Sequence, residues 1–132
     1  MEFEYTKREW SRGIVYVPTL PILLNGFPVG HALVDTGADA TLLPMELQEL
    51  LAVELDTRNA IPFTSAGGDE FKAIPTTKPI EYTIEQSGFR PKTWKGIAFF
   101  AEGQPAILLG QYQCLEKLSI TFDAPNKKIR LA

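Results

Sequence analysis

One cysteine and one histidine are all that this 132-residue chain holds of two residue types on which much enzyme chemistry depends. The single thiol, Cys114, excludes an internal disulfide. Nothing at the N-terminus reads as a secretory signal, so a reducing cytoplasm is the expected setting. The single imidazole, His31, has no Ser or Cys nucleophile motif beside it, which leaves a covalent hydrolase without its usual parts. It reads as an ordinary strand residue. No apolar run approaches the ~20 residues of a membrane-spanning helix, so no membrane role is expected. Basic residues are also scarce. Lys and Arg number 13 against 16 Asp and Glu, for a formal charge of -3. That balance argues against a nucleic-acid or anionic-membrane partner, because both require a concentrated basic surface. The densest basic run, Lys127-Lys128-Ile129-Arg130, reads as the solvated face of a last strand.

What is present fits one globular domain spanning residues 1–132. Hydrophobic residues make up 45% and charged residues 22%, ordinary values for a soluble chain long enough to bury a core. Ten prolines and ten glycines cut it into short apolar pieces with the spacing of an all-β domain. "LPILLNGFPVGHALVD" predicts two strands around Asn25-Gly26, a pair that tolerates positive φ. "PIEYTIEQSGFRPKTWKGIAFF" predicts a second hairpin turning at Ser87-Gly88. "SITFDAPNKKIRLA" predicts a closing hairpin around residues 123–126, and "MEFEYTKREW" a further strand. Two short helices are predicted: "PMELQELL", with Pro44 at its first position, and "QYQCLEKL", following Gly110. The two halves also resemble each other, with Thr41-Leu42-Leu43-Pro44 matching Ile107-Leu108-Leu109-Gly110 at a common offset.

The informative stretch is "HALVDTGADATLLP", residues 31–44. An apolar strand, Ala32-Leu33-Val34, delivers a carboxylate into a tight turn, Asp35-Thr36-Gly37-Ala38-Asp39. Three readings compete. Asp35 could cap a turn while Asp39 sits on the surface. A calcium loop fits poorly, because Gly37 occupies a position where alternate oxygen ligands are needed, and the EF-hand pattern does not continue. The third is acid/base chemistry between two carboxylates placed about 3 Å apart, which cannot both ionise and so share a proton. One then activates water while the other protonates a carbonyl, with no metal or cofactor. A hydroxyl at Thr36 can fix the geometry, and Gly37 has no side chain to hold a second carboxylate away.

The tripeptide occurs by chance in about one chain in fifty of this length, so its context matters more. "ALVDTGADATLLP" together with "AILLGQ" resembles the retropepsin-like aspartic proteases over roughly residues 14 to 131, and "ILLGQYQCLEKLSITFD" is especially similar to prokaryotic and cellular members. The resemblance implies a mainly β, closed or barrel-like acid-protease fold built from two related motifs. It makes Asp35 the catalytic aspartate, Thr36 the hydroxyl that locks the active-site loops, and Gly37 a backbone contact for substrate. Ala38 and Asp39 match substrate-binding positions. Leu42, Pro105, Ala106 and Leu108 match pocket walls suited to apolar side chains. Leu109 and Gly110 match the apolar-Gly element that packs beneath the catalytic loop.

A single Asp-Thr-Gly then requires a C2 homodimer, one Asp35 from each copy. The chain ends, residues 1–13 and "KKIRLA", are candidate interface strands, the former also readable as an extension. Residues 62–75 match the flap, with Ala66-Gly67-Gly68 as its tip. Gln111 departs from the Arg that viral members usually place there to pair with the carboxylate equivalent to Asp39, and Arg8 or Arg12 are possible substitutes. The resulting expectation is an endopeptidase acting on a peptide or protein substrate. The rival is a non-catalytic dimerisation or peptide-binding module of the same fold.

Overall fold

Short apolar pieces become short strands. In the computed structural model, which describes residues 1–132, there are fourteen: β1 (Glu2–Glu4), β2 (Thr6–Trp10), β3 (Gly13–Val17), β4 (Thr19–Leu24), β5 (Phe27–Val34), β6 (Leu42–Pro44), β7 (Ile61–Thr64), β8 (Glu70–Pro75), β9 (Ile80–Ile84), β10 (Lys92–Gly96), β11 (Phe99–Ala101), β12 (Leu108–Leu109), β13 (Ile120–Asp123) and β14 (Lys128–Leu131). Nine of them form one sheet in the order β10-β9-β4-β5-β12-β6-β11-β8-β7. The Asn25-Gly26 hairpin forms as expected. Both residues take positive φ, 49° and 81°, the conformation that a two-residue turn between twisted strands demands. Alternation along β4 buries Leu20, Ile22 and Leu24, which join Tyr82, Ile84 and Phe100 in the principal core.

Four expectations need correction. The sheet has two ends, β10 and β7, so it is mainly β but not a closed barrel. Pro44 ends β6 rather than opening a helix, because Leu42–Pro44 is held in strand pairing with β11. The helix that follows, α1, spans only Leu47–Leu51 and stops at Ala52 in the left-handed region. The second helix shrinks to a single 3-10 turn, Leu115–Lys117. Gln113 at φ 52° interrupts the run, while the N–H groups of Gln111 and Tyr112, which a helix would leave free, bond the carbonyls of Ala38 and Asp39.

The N-terminus splits in two. β2 and β3 form a separate two-stranded sheet, while β1 pairs with β14 in a three-stranded sheet ordered β1-β14-β13. Both edges of β14 are therefore occupied within the chain. Ion pairs from Arg130 to Glu2 (2.9 Å) and Asp123 (3.1 Å) cross that sheet. The outward edge of β1 is covered at Glu2, whose N–H and C=O both bond the Gln86 side chain.

The internal repeat is present in the hydrogen bonding. β5 pairs in parallel with β12, Leu33 opposite Leu108 and Val34 opposite Leu109. β11 pairs in parallel with β6, Phe99 opposite Leu42 and Phe100 opposite Leu43. Moving each member of the first set by the offset that takes residue 42 to residue 108 yields the second set. The loop bonds obey the same relation: Leu33 N–H donates to Ile107 C=O at 2.9 Å, and Phe99 N–H to Thr41 C=O at 3.0 Å. Leu42 and Leu108 face each other where the two halves meet.

Candidate active site

Asp35 stands where β5 leaves the core. Ala32 and Val34 are buried, Asp35 is half-buried, and Thr36 and Gly37 are exposed. The backbone holds the turn from both directions. Asp35 N–H donates to Leu109 C=O at 3.0 Å, and Ala38 N–H to Asp35 C=O at 3.1 Å. Gly37 N–H donates to the Asp35 Oδ1 at 3.0 Å, which fixes the orientation of the carboxylate.

Further hydrogen bonds fasten this turn to the chain after β12. Gln111 N–H donates to Ala38 C=O at 3.0 Å and Tyr112 N–H to Asp39 C=O at 2.8 Å. Gly110 N–H donates to the fully buried Thr41 hydroxyl at 3.2 Å. Glycine is required at 110, since a Cβ there would collide with the Ala40 carbonyl. Behind the turn, burial pushes the Cys114 thiol up to about 11. Burial also raises the Tyr82 hydroxyl, with the nearby thiol adding to the shift. Neither group reaches solvent, and both are neutral at ordinary pH.

In front of the turn lies an open cleft of about 1130 Å³. It brings together Asp35, Gly37, Ala38, Asp39, Leu42, Ala66 and Leu108 from the expected set. Thr36, Gly67, Gly68, Pro105 and Ala106 are exposed and lie outside its lining, and Leu109 and Gly110 are buried beneath it. The hairpin of β7 and β8 overhangs the cleft through Ile61, Phe63, Ala66 and Phe71. Residues 62–75 do form a hairpin, whose turn at Ser65–Asp69 is closed by the Ser65 N–H to Asp69 C=O bond of 2.8 Å.

Sequence reasoning missed the aromatic wall. Phe63 stacks on Phe71 with centroids 5.8 Å apart and meets Phe99 edge-on at 5.7 Å. The first pair had a signal, since a hairpin centred on Gly67 sets residues 63 and 71 opposite each other, as the observed register does. Phe99 comes from distant sequence and had none. Tyr112 and Gln104 also line the cleft. No group of three or more His, Cys, Asp and Glu converges in the way a metal ion needs. No helix is long and apolar enough to cross a membrane.

Three solved structures share this architecture. EIAV protease complexed with the inhibitor HBY-793 is 26% identical with a TM-score of 0.51, covering 72% of this chain and 82% of its own. A retropepsin-like aspartic protease from Rickettsia conorii is 20% identical with a TM-score of 0.59, covering 98% and 97%. The retroviral protease-like domain of Ddi1 from Leishmania major is 16% identical with a TM-score of 0.54, covering 89% and 95%. The chain has the retropepsin-like fold. No protein-family model and no curated protein sequence matches it.

Within this retropepsin-like fold the substitution at Gln111 has a structural consequence. The Gln111 amide donates to the Thr36 carbonyl at 3.1 Å. It therefore supports the Asp35 turn without touching the Asp39 carboxylate, and no ion pair reaches Asp39 from elsewhere in the protomer.

Proposed function

We propose that the chain is an aspartic-type endopeptidase that works as a C2 homodimer, with one Asp35 from each copy at the symmetry axis. The observation that carries this reading is the turn itself. Every backbone link that positions Asp35 is satisfied within the protomer, while its Thr36 neighbour is exposed with no side-chain hydrogen bond, at the mouth of an apolar cleft. The fold likeness supports a protease of this kind.

Two facing carboxylates would share one proton. The ionised Asp35 takes a proton from water as the oxygen attacks the peptide carbonyl, and the protonated Asp35 gives its proton to the carbonyl oxygen. The carboxylate that gained the water proton then passes it to the leaving nitrogen as the C–N bond breaks, while the other carboxylate takes a proton back from a hydroxyl of the tetrahedral intermediate, which leaves the carboxylic acid product and restores the one-proton pair. Thr36 locks the paired turns, Gly37, Ala38 and Asp39 bind the peptide backbone, and Leu42 and Leu108 with the phenylalanine wall receive apolar side chains. The hairpin at residues 62–75 acts as the flap, with Gly67 and Gly68 allowing its tip to close. Pro105 and Ala106 would reach substrate only in the closed dimer. The second copy pairs at β13, the open edge of the three-stranded sheet, where Phe122 is exposed. Residues 1–132 act as one domain in the cytoplasm, a compartment suited to a lone buried thiol.

The test is cleavage of a diverse peptide library between about pH 4 and 7, bracketing one-proton occupancy of the pair. Wild type should cut beside large apolar residues, and Asp35→Asn should lose activity by on the order of 10³-fold while staying folded. Retained cleavage in the variant would sink the proposal. Silence from wild type with intact peptide binding would move the assignment to a binding module.

A further inference from the structure

Two side chains line the cleft without belonging to the Asp35 turn, the overhanging hairpin or the apolar walls: Gln104 and Tyr112. In each, one polar atom is held by the chain and another is left over. Gln113 settles the case of Tyr112. Its Oε1 accepts from Ile97 N–H at 2.8 Å, and its Nε2 lies 3.1 Å from the Tyr112 hydroxyl. A backbone N–H can only donate, so the amide has one possible orientation. Nε2 is then the donor and the phenol oxygen the acceptor, which turns the phenol hydrogen away from Gln113 and leaves it without a partner in the protomer. The mount is rigid. Gln113 sits at φ 52°, so close to β10 that a Cβ on Gly96 would come within 2.3 Å of its carbonyl oxygen. Tyr112 N–H is fixed on Asp39 C=O at 2.8 Å, while the ring is 47% exposed. Gln104 has the opposite polarity. Its Nε2 donates to Ala106 C=O at 2.9 Å, and because a carbonyl can only accept, Oε1 is the atom left free.

We infer that Tyr112 and Gln104 form a carboxamide subsite, which selects peptides with Asn or Gln near the apolar residues at the cleaved bond. This rests on the cleft being the peptide site, and it names a side-chain class that the polar part of that site takes. A carboxamide oxygen accepts from the Tyr112 hydroxyl while its NH2 group donates to Gln104 Oε1, so one planar group satisfies both leftover atoms. A carboxylate would set an acceptor against Gln104 Oε1 in a cleft that already holds Asp35 and Asp39. A thioether would leave both atoms unpaired.

Binding is read apart from cleavage in the Asp35→Asn variant. Labelled apolar peptides carrying Gln, Met or Glu at each flanking position in turn are titrated by fluorescence anisotropy. At one position the Gln peptide should bind about threefold to tenfold more tightly than the Met and Glu peptides. Tyr112→Phe and Gln104→Leu, each added to Asp35→Asn, should bring the Gln-to-Met ratio towards one and leave the Met affinity within about twofold. A merely structural role would weaken all peptides alike, and that result would overturn the inference. So would a ratio near one at every position in the parent variant, or a ratio that survives both changes. A dimer weakened by Tyr112→Phe in sedimentation velocity would overturn it too, because the phenol would then face the partner copy. Peptides cut by wild type with no Gln preference would remove the subsite and keep the protease reading. Gln selection while wild type cuts nothing would uphold the subsite and remove that reading, and binding of no peptide would remove both.

Discussion

The two halves of the molecule share a hydrogen-bond frame and differ in what it presents. In the first, β5 ends at Asp35 and the chain turns outward through Thr36 and Gly37. At the corresponding point of the second, β11 ends at Ala101, which is 1% exposed and buried against Leu42 and Ala73. The parallel pairings on the two sides follow the same register. The internal symmetry therefore builds a mount for a reacting loop twice and arms it once. A chemistry that needs two facing carboxylates must take the second from another copy.

The sharpest way to break this comparison is to arm the second half. Ala101→Asp buries a carboxylate in the apolar cluster of Leu42, Ala73 and Phe99, and an uncompensated charge of this kind costs about 3 to 5 kcal/mol. Urea denaturation should show that loss, and the change should not restore cleavage to Asp35→Asn. Recovery of activity would mean that the halves are functionally equivalent.

A second change tests the joint between them. Pro44 and Gly110 occupy corresponding places, and Gly110 lies against the backbone of Ala40. Gly110→Ala should destabilise the fold by about 2 to 3 kcal/mol, since the obstacle is main chain and cannot swing aside. It should also lower activity, because Ala40 moves with the Asp35 turn.

Thr41 and Ile107 form a further unequal pair, both buried. Thr41→Val makes the halves more alike but strands the Gly110 N–H, at a cost of about 1 to 2 kcal/mol. An unchanged urea midpoint would show that this hydrogen bond does not hold the halves together.

The smallest effect lies in pH. The folded Cys114 thiol titrates near 11 against an ordinary 9.0. A raised folded value means that the native state holds its proton longer, so this stabilisation is complete below about pH 9 and disappears as pH rises through about 11. The raised Tyr82 hydroxyl acts in the same direction. Stability should fall by about 1 kcal/mol on reaching pH 10, less in Cys114→Ala. On the acid side, Asn126 and then Arg130 hold the Asp123 carboxyl below its ordinary value. Its contribution is kept above about pH 4, so the terminal sheet retains this pair across the proposed working range.

How much of this was legible depended on the range of the forces involved. The Asn25-Gly26 turn, the apolar approach to Asp35 and the matched segments at 41–44 and 107–110 are local patterns, and all appear as expected. The helix expected at Pro44 failed because pairing with β11, distant in sequence, holds Leu42–Pro44 extended. The helix expected after Gly110 failed because the backbone leaves helical geometry at Gln113 (φ 52°) and Cys114 (φ -135°). Phe99 was invisible as a cleft residue, since only the long-range sheet brings it to Phe63. Local propensity yields wherever the two halves touch, which is also where the candidate site lies.

The most direct test of one Asp35 from each of two copies is to refold a fixed amount of wild type with increasing Asp35→Asn and measure peptide cleavage. If mixed dimers are inactive, the rate should fall to about half at equal amounts and to about one-tenth at ninefold excess, as random pairing requires. A rate that stays at the wild-type value while light scattering or crosslinking shows mixed dimers would contradict the account, because a single Asp35 would then suffice.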